Sequence, residues 1–299
     1  MMYHSPALLN ESIEGLSVNP EGIYVDVTYG GGGHSIEILK KLTKGKLIGF
    51  DQDEDAIKNN NLKDQRFELI NDNFKFLKNN LKLIGIDKVD GIIADLGISS
   101  HQIDVPERGF STRYDAELDL RMDRSNGETA KDIINTYTAE QLKKIFSEYG
   151  ELKQAYKIAI TIDSKRKSKA INTIYQLKEA IQHLSQRGKE NKFFAQVFQA
   201  LRIEVNDELK ALKELLIQAN DVLKYNGRLV VISYHSLEDR LVKNYMKSGN
   251  FEGLINKDFY GNIISPFKVI SKKPIIPTIE EVENNNRSRS AKLRIAQKI

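Results

Sequence analysis

The sequence has 299 residues, 40% of them hydrophobic, which is enough for one large or two modest domains with buried cores. It has no cysteine, so disulfide scaffolds, thiol nucleophiles and cysteine-ligated metals are excluded and a reducing, cytoplasmic setting is expected. The 45 basic and 41 acidic residues leave a net charge of +4, unevenly spread: residues 151–205 hold 11 basic against 5 acidic residues, and residues 105–150 hold 7 against 9. Such a local excess suits a polyanion or a solvated charged face. The uncharged stretch from Val27 to Ile36 is too short and too glycine-rich to span a membrane, and no membrane association is expected.

Apolar runs rich in β-branched residues predict strands at 23–28, 46–50, 67–71 and 89–95. Helices are predicted between them at 35–42, at 55–62 and at 74–84, where Phe74, Leu77, Leu81 and Ile84 share one stripe that ends at Gly85. This alternation is the pattern of an α/β fold, a doubly wound and mostly parallel sheet covered by helices. The next such strand, 228–233, follows an amphipathic helix at 206–224 that Gly227 is expected to stop. A crossover needs roughly 25–30 residues, yet about 130 separate Asp95 from this strand, so about 100 are inserted. The division expected is a discontinuous domain of residues 1–104 and 206–299 around an inserted domain of residues 105–205. Capping-box patterns at Thr138 with Gln141 and Thr173 with Gln176 make the insert helical. A helix at 239–246 and extended runs at 267–271 and 292–296 close the chain, the last two as an antiparallel hairpin at the sheet edge.

The segment Asp26-Val27-Thr28-Tyr29-Gly30-Gly31-Gly32-Gly33-His34 leads from the first strand into a helix. Glycines there admit positive φ and let a ligand approach the backbone, and a helix start offers free N–H groups, so a nucleotide-like ligand is implied. A dinucleotide fingerprint would need glycine where Ser35 or Ile36 stands, and a P-loop would need a following Lys-Ser or Lys-Thr, so both are excluded. Asp51 ends the second strand, where a carboxylate can accept both hydroxyls of a ribose; Asp53 competes but reads better as a helix cap, as does Asp55. Asn71, Asp72 and Asn73 offer polar groups to a base edge, and Phe74 offers a ring face or a core contact.

Asp95 ends the fourth strand, beside the first at the topological switch point, and Ser99 and Ser100 follow it. Tyr234, His235 and Ser236 follow the fifth strand; Tyr234 or His235 either stacks on a base or relays a proton, or else Tyr234 packs and His235 caps the next helix. Five histidines without a ligand spacing give no metal site. Arg108, Arg113, Arg121 and Arg124 either bracket phosphates or pair with Asp115, Asp119 and Asp123, pairing being favoured for Arg121. Lys165, Arg166, Lys167, Lys169 and the tail residues Arg287 and Arg289 are the stronger phosphate candidates.

In order, HSPALLNES, DVTYGGGGH, FDQD, DGIIADLGISSHQID, ERGFS, LDLRMD, FQALRIEVNDEL, RLVVISYHSLEDR and RSRSAKLRIA resemble the motifs of the bacterial 16S ribosomal RNA (cytidine) N4-methyltransferase family, over nearly the whole chain from His4 to Ala296. The glycine loop alone resembles the first motif of class I S-adenosylmethionine (SAM) methyltransferases. The resemblance implies a Rossmann-like SAM-methyltransferase fold with an inserted substrate domain, SAM as cofactor, and methyl transfer to N4 of a cytidine in the decoding centre of 16S rRNA in the small ribosomal subunit. It places SAM contacts on Gly32, Gly33, His34, Asp51, Phe74, Asp95 and Gln102. Gly31 stands where the family often has Arg or Ala, and Gln196 replaces a common Arg. Asp95, Ser99 and Ser100 are then the candidate acceptors for the amine hydrogens, with Tyr234 and His235 beside the base. A homodimer is left open. The competing expectations are a SAM methyltransferase of another nucleic acid or a small molecule, and a non-catalytic RNA-binding assembly factor.

Overall fold

The computed structural model describes residues 6–299, so His4 and Ser5 of the first motif lie outside the described residues. The chain divides into two compact units, one of residues 1–97 and 209–299, the other of residues 98–208.

The first unit holds seven strands: β1 Ile23–Asp26, β2 Lys46–Asp51, β3 Phe67–Asn71, β4 Val89–Asp95, β5 Leu223–Ser233, β6 Phe267–Val269 and β7 Lys292–Lys298. They form one sheet in the order β3-β2-β1-β4-β5-β7-β6. β1 to β5 run parallel, while β7 pairs antiparallel with β5, from Arg228 opposite Gln297 to Ser233 opposite Lys292. β6 pairs antiparallel with β7, giving the expected antiparallel edge. Chain order reverses between β1 and β4, so their carboxyl ends open side by side.

Successive side chains of a strand point to opposite faces, and here both faces are apolar. Val25, Ile92, Leu229 and Val231 pack on one face with Leu77, Leu81, Leu212 and Leu216. Tyr24, Ile93, Val230 and Ile232 pack on the other with Leu8, Leu16, Ile38 and Leu39. Burying each aliphatic side chain contributes about 1.5–3 kcal/mol, so the sheet centre is the least deformable support available for a site. None of the described helices is long and apolar enough to cross a membrane.

Three elements differ from expectation. The helix expected at 206–224 is present but trimmed to Glu208–Val222, because Asp207 at φ +52 ends a preceding helix, Glu190–Asn206. Gly227 does not stop it, because β5 already begins at Leu223, which pairs with Val89 beyond a bulge. The helix expected at 55–62 is shortened to Glu54–Lys58, capped by Asp53, with Asp55 inside it, since the asparagines 59–61 favour turns over helix. The stripe at 74–84 begins with a 3₁₀ turn, Phe74–Phe76, before the helix Leu77–Leu83.

The second unit is helical around its own core, which includes Leu118, Ile134, Phe146, Ile158, Leu177 and Leu201. Capping boxes close the helices Ala139–Glu148 at Thr138 with Gln141 and Ile174–Ile181 at Thr173 with Gln176, and a third opens Ala130–Thr136 at Thr129 with Asp132.

Candidate active site

The site of the first unit is assembled at the carboxyl ends of β1, β2, β4 and β5. Asp26 ends β1 and accepts hydrogen bonds from Ser35 Oγ (2.7 Å) and the Thr28 N–H (3.2 Å). Thr28 Oγ1 accepts from the Asp95 N–H at 2.6 Å, tying the end of β4 to the glycine segment. Asp51 closes that segment from the other side, its Oδ2 accepting from the Gly30 N–H (2.7 Å) and its Oδ1 from the Asp53 N–H (2.9 Å). Asn71 Nδ2 donates to the Asp51 carbonyl and Asn73 Nδ2 to Gln52 Oε1, which locks the end of β3 to the end of β2. Phe74 is half-buried and packs on the apolar core.

Two glycines of the segment are required for different reasons. Gly32 has φ +76, and a Cβ there would collide with the ring of Tyr29; Gly33 leads into the helix Gly33–Lys41, and a Cβ there would strike Pro6. Gly30 also has positive φ, yet a Cβ on it would meet nothing nearer than 3.9 Å, and Gly31 is exposed. The outer face of the loop is therefore bare backbone. His34 is buried; its Nδ1 lies 3.9 Å from Asp95 Oδ2, and its Nε2 has no hydrogen-bond partner among the described residues.

Asp95 Oδ1 accepts from the hydroxyl of Tyr234 at 2.8 Å, joining the ends of β4 and β5. Tyr234 is held from behind: Glu238 Oε2 accepts from the N–H of Tyr234 (2.9 Å) and of His235 (3.3 Å). His235 is the N-cap of the helix Ser236–Ser248, its Nδ1 accepting from the Glu238 N–H, so of the two expected uses the structure shows the cap. Its Nε2 lies 3.2 Å from Glu238 Oε1 without hydrogen-bond alignment.

The electrostatics are those of one buried acid, Asp26, and two half-buried ones, Asp51 and Asp95, with no cation paired to them among the described residues. Burial pushes Asp26 up to about 6 against the opposing bonds from Ser35 and Thr28. Asp51 also rises to about 6, by burial, with the neighbouring charges of Asp53 and Asp26 adding to it. Asp95 rises to about 7, again chiefly by burial; the Tyr234 hydroxyl opposes this, and the charges of Asp26 and Glu238 reinforce it. Burial lowers His34 to about 4, so it is neutral at pH 7 and supplies no charge to offset them. Burial, then the Asp95 charge, raises Tyr234 well above its ordinary value, keeping its proton on the hydroxyl. The Asp95 side chain is 21% exposed, so a ligand can reach it. The arrangement fits a ligand with hydroxyls for Asp51, a body lying on bare glycine backbone, and a positive centre near Asp95. Each carboxylate oxygen that accepts one N–H keeps a second lone pair for such a ligand.

The remaining expected residues fall in the second unit or on the surface. Ser99 caps the helix Ser100–Asp104, with Ser99 Oγ accepting from the Gln102 N–H and Gln102 Oε1 from the Ser99 N–H. Arg108 is corrected as a phosphate contact: it is 1% exposed, and its guanidinium donates to the carbonyls of Arg121 and Met122. Arg166 is also committed internally, to the Ile134 carbonyl and to Asp163, which Lys167 shares. Arg121 pairs with Asp119, as its sequence context favours. Lys165, Lys169, Arg113 and Arg289 are exposed with no ion pair among the described residues, whereas Arg287 is half-buried.

Sequence reasoning left three residues unassigned. Asp26 and Ser35 lie inside the glycine motif but carry no pattern that shows their mutual bond. Glu238 was legible, since His235-x-x-Glu238 at a helix start has the spacing of a capping box.

The sequence model of the MraW methylase family matches residues 1–299. The chain is 57% identical over 300 residues to the ribosomal RNA small subunit methyltransferase H of Christiangramia forsetii, covering 100% of this chain and 99% of that one. It is 58% identical over 298 residues to the protein of the same name from Cytophaga hutchinsonii, covering 99% and 100%. A third, from Parabacteroides distasonis, is 56% identical over 299 residues and covers 99% and 98%. With a match along its full length and relatives of this identity and coverage, the chain belongs to the MraW methylase family.

Proposed function

We propose that this chain transfers a methyl group from SAM to N4 of a cytidine in 16S rRNA of the small ribosomal subunit. The observation that carries the reading is the Asp95–Tyr234 hydrogen bond of 2.8 Å at the switch point, beside the glycine segment and the acids Asp26 and Asp51, which have no cation paired to them among the described residues. SAM, when bound, supplies a methyl group on a positively charged sulfur. The residues fit it: Asp51 would take its ribose hydroxyls, the backbone of 30–33 would lie against its nucleoside, and His34 Nε2, buried and without a partner among the described residues, would be free to hydrogen-bond to it.

The cytosine amine is a weak nucleophile because its lone pair is delocalised into the ring, so the protein must orient it and accept its proton. Asp95 is built for both. Tyr234 donates to Oδ1 and fixes the carboxyl plane, leaving Oδ2 to accept an amine N–H. As the N–CH₃ bond forms and the S–CH₃ bond breaks, one amine proton must leave, and a carboxyl of pKa about 7 can hold it near neutral pH. Glu238 positions Tyr234 through its backbone and does not touch the substrate in this scheme.

The test is incubation with radiolabelled SAM and small subunits from a strain lacking the enzyme, followed by nucleoside analysis of the 16S rRNA. N4-methylcytidine at one site, lost with Asp95→Ala, supports the reading. Label on another nucleoside overturns the target; SAM binding without transfer to subunits or naked RNA overturns the substrate.

A further inference from the structure

Residues 257–263 form a tight hairpin turn in the first unit. Lys257 and Ile263 pair across it; the Gly261 N–H donates to the Asp258 carbonyl (3.1 Å), with Gly261 at φ +86. Asp258 Oδ1 accepts from the N–H groups of Tyr260 and Asn262, both at 2.9 Å, and Asn262 Nδ2 donates to Asp258 Oδ2 at 3.0 Å. The two central residues of this braced turn are Phe259 and Tyr260. They are 97% and 86% exposed, with ring centroids 5.6 Å apart at 88°. Two rings held in water by a dense set of bonds contribute nothing to the core, and large exposed apolar groups of this kind mark contact surfaces.

The charge of the flanking sequence points to the partner. Residues 243–273 hold six lysines (243, 247, 257, 268, 272 and 273) against Glu252 and Asp258, a net of +4, equal to that of the whole chain. All six are exposed, and none has an ion pair among the described residues. Leu254, Ile255 and Ile264 beside the turn are exposed as well, which would also suit a protein. Protein interfaces are depleted in lysine, however, whereas unpaired nucleic acid is held by aromatic faces for its bases and cations for its phosphates.

We propose that the 257–263 turn is a second RNA contact, on which unpaired bases of the substrate stack on Phe259 and Tyr260 while the lysines hold the flanking phosphates. This rests on the reading of RNA as substrate and adds to it a surface that the reading does not assign.

The experiment compares the full-length chain with F259A/Y260A and F259W/Y260W. For the alanine pair, RNA affinity and KM for RNA are expected to worsen roughly 10- to 100-fold, since each stacked base contributes on the order of tenfold or more. Both kcat at saturating RNA and the thermal shift on adding SAM are expected to stay within about twofold of wild type, because no residue of the strand-end site is altered. The tryptophan pair should retain affinity, and because the sequence has no tryptophan, its emission should report stacking directly by quenching with single-stranded RNA. Unchanged affinity with no quenching overturns the proposal. So does a loss confined to assembled subunits while naked RNA binds normally, which would indicate a ribosomal protein, or a lost dimer with RNA affinity intact, which would indicate a second copy. Quenching without methyl transfer to RNA by wild type would keep the surface and overturn the functional reading; transfer without quenching or affinity loss would do the reverse.

Discussion

Buried charge is handled in opposite ways in the two units. In the helical unit it is neutralised internally: Arg121 pairs with Asp119, Arg166 with Asp163, Arg202 with Glu208, and Arg108 is satisfied by two carbonyls. At the strand ends of the other unit, Asp26, Asp51 and Asp95 have no cation paired to them among the described residues, and the imidazole of His34, 3.9 Å from Asp95, is neutral. Protein that needs only stability matches its buried ions, because an unmatched one costs several kcal/mol. Acids left unmatched at a sheet's switch point reserve that energy for a ligand. The same unit shows the alternative, since Arg294 and Asp239 form a close pair between β7 and the helix Ser236–Ser248.

The sharpest way to break this comparison is to remove one charge from each unit. Asp95→Asn should reduce methyl transfer by roughly 10²–10⁴-fold, the range for a lost proton acceptor, while leaving the melting temperature of the ligand-free chain unchanged or higher. Asp119→Ala should do the opposite, lowering stability by about 3 kcal/mol in denaturant titration through stranded arginines, with SAM binding intact. If Asp95→Asn destabilises as much as Asp119→Ala does, the strand-end acids are structural and the contrast fails.

Tyr234→Phe should have the next largest effect, about tenfold in kcat. The hydroxyl lowers the Asp95 pKa, so its loss should move the rising limb of the pH–rate profile upward. An unmoved limb would detach Tyr234 from the proton acceptor.

The pH dependence of stability follows from the same shifts. Asp26, Asp51 and Asp95 are raised above the ordinary carboxylate value, so the stability they contribute is fully present below about pH 4 and is lost as pH rises through about 6 and about 7. His34 is lowered and works the other way, its contribution present above about 6.5 and lost as pH falls through about 4. A cation favours ionised acids, so the affinity for SAM, read by calorimetry, should increase about tenfold from pH 5.5 to 8, and that for neutral S-adenosylhomocysteine much less. Parallel pH profiles for the two would remove the charge argument. The smallest effect should come from Thr138→Ala, which loses one cap in the helical unit and costs about 1 kcal/mol by thermal melting, with catalysis unaffected.

Local patterns were readable where local physics decides. The β-branched runs of β1 to β4 and the capping boxes at Thr138 and Thr173 depend on neighbours a few residues away, and they can be recognised in sequence. Arg108 could not be read, because a lone cation among acids looks like a phosphate ligand until its carbonyl partners and burial are known. The Asp95–Tyr234 bond joins residues 139 apart, and no spacing rule reaches so far. The start of β5 was lost to a helical periodicity that continues through Leu223, where pairing with Val89 overrides it.

The position of β7 also has a consequence for biogenesis. It is the interior strand between β5 and β6, yet its residues, 292–298, are made after all the rest of the sheet. During synthesis β5 therefore waits with an open hydrogen-bonding edge while the contiguous helical unit can already collapse. Loss of that one strand would expose a long apolar ladder and invite pairing between chains, so a chain that lacks it should aggregate.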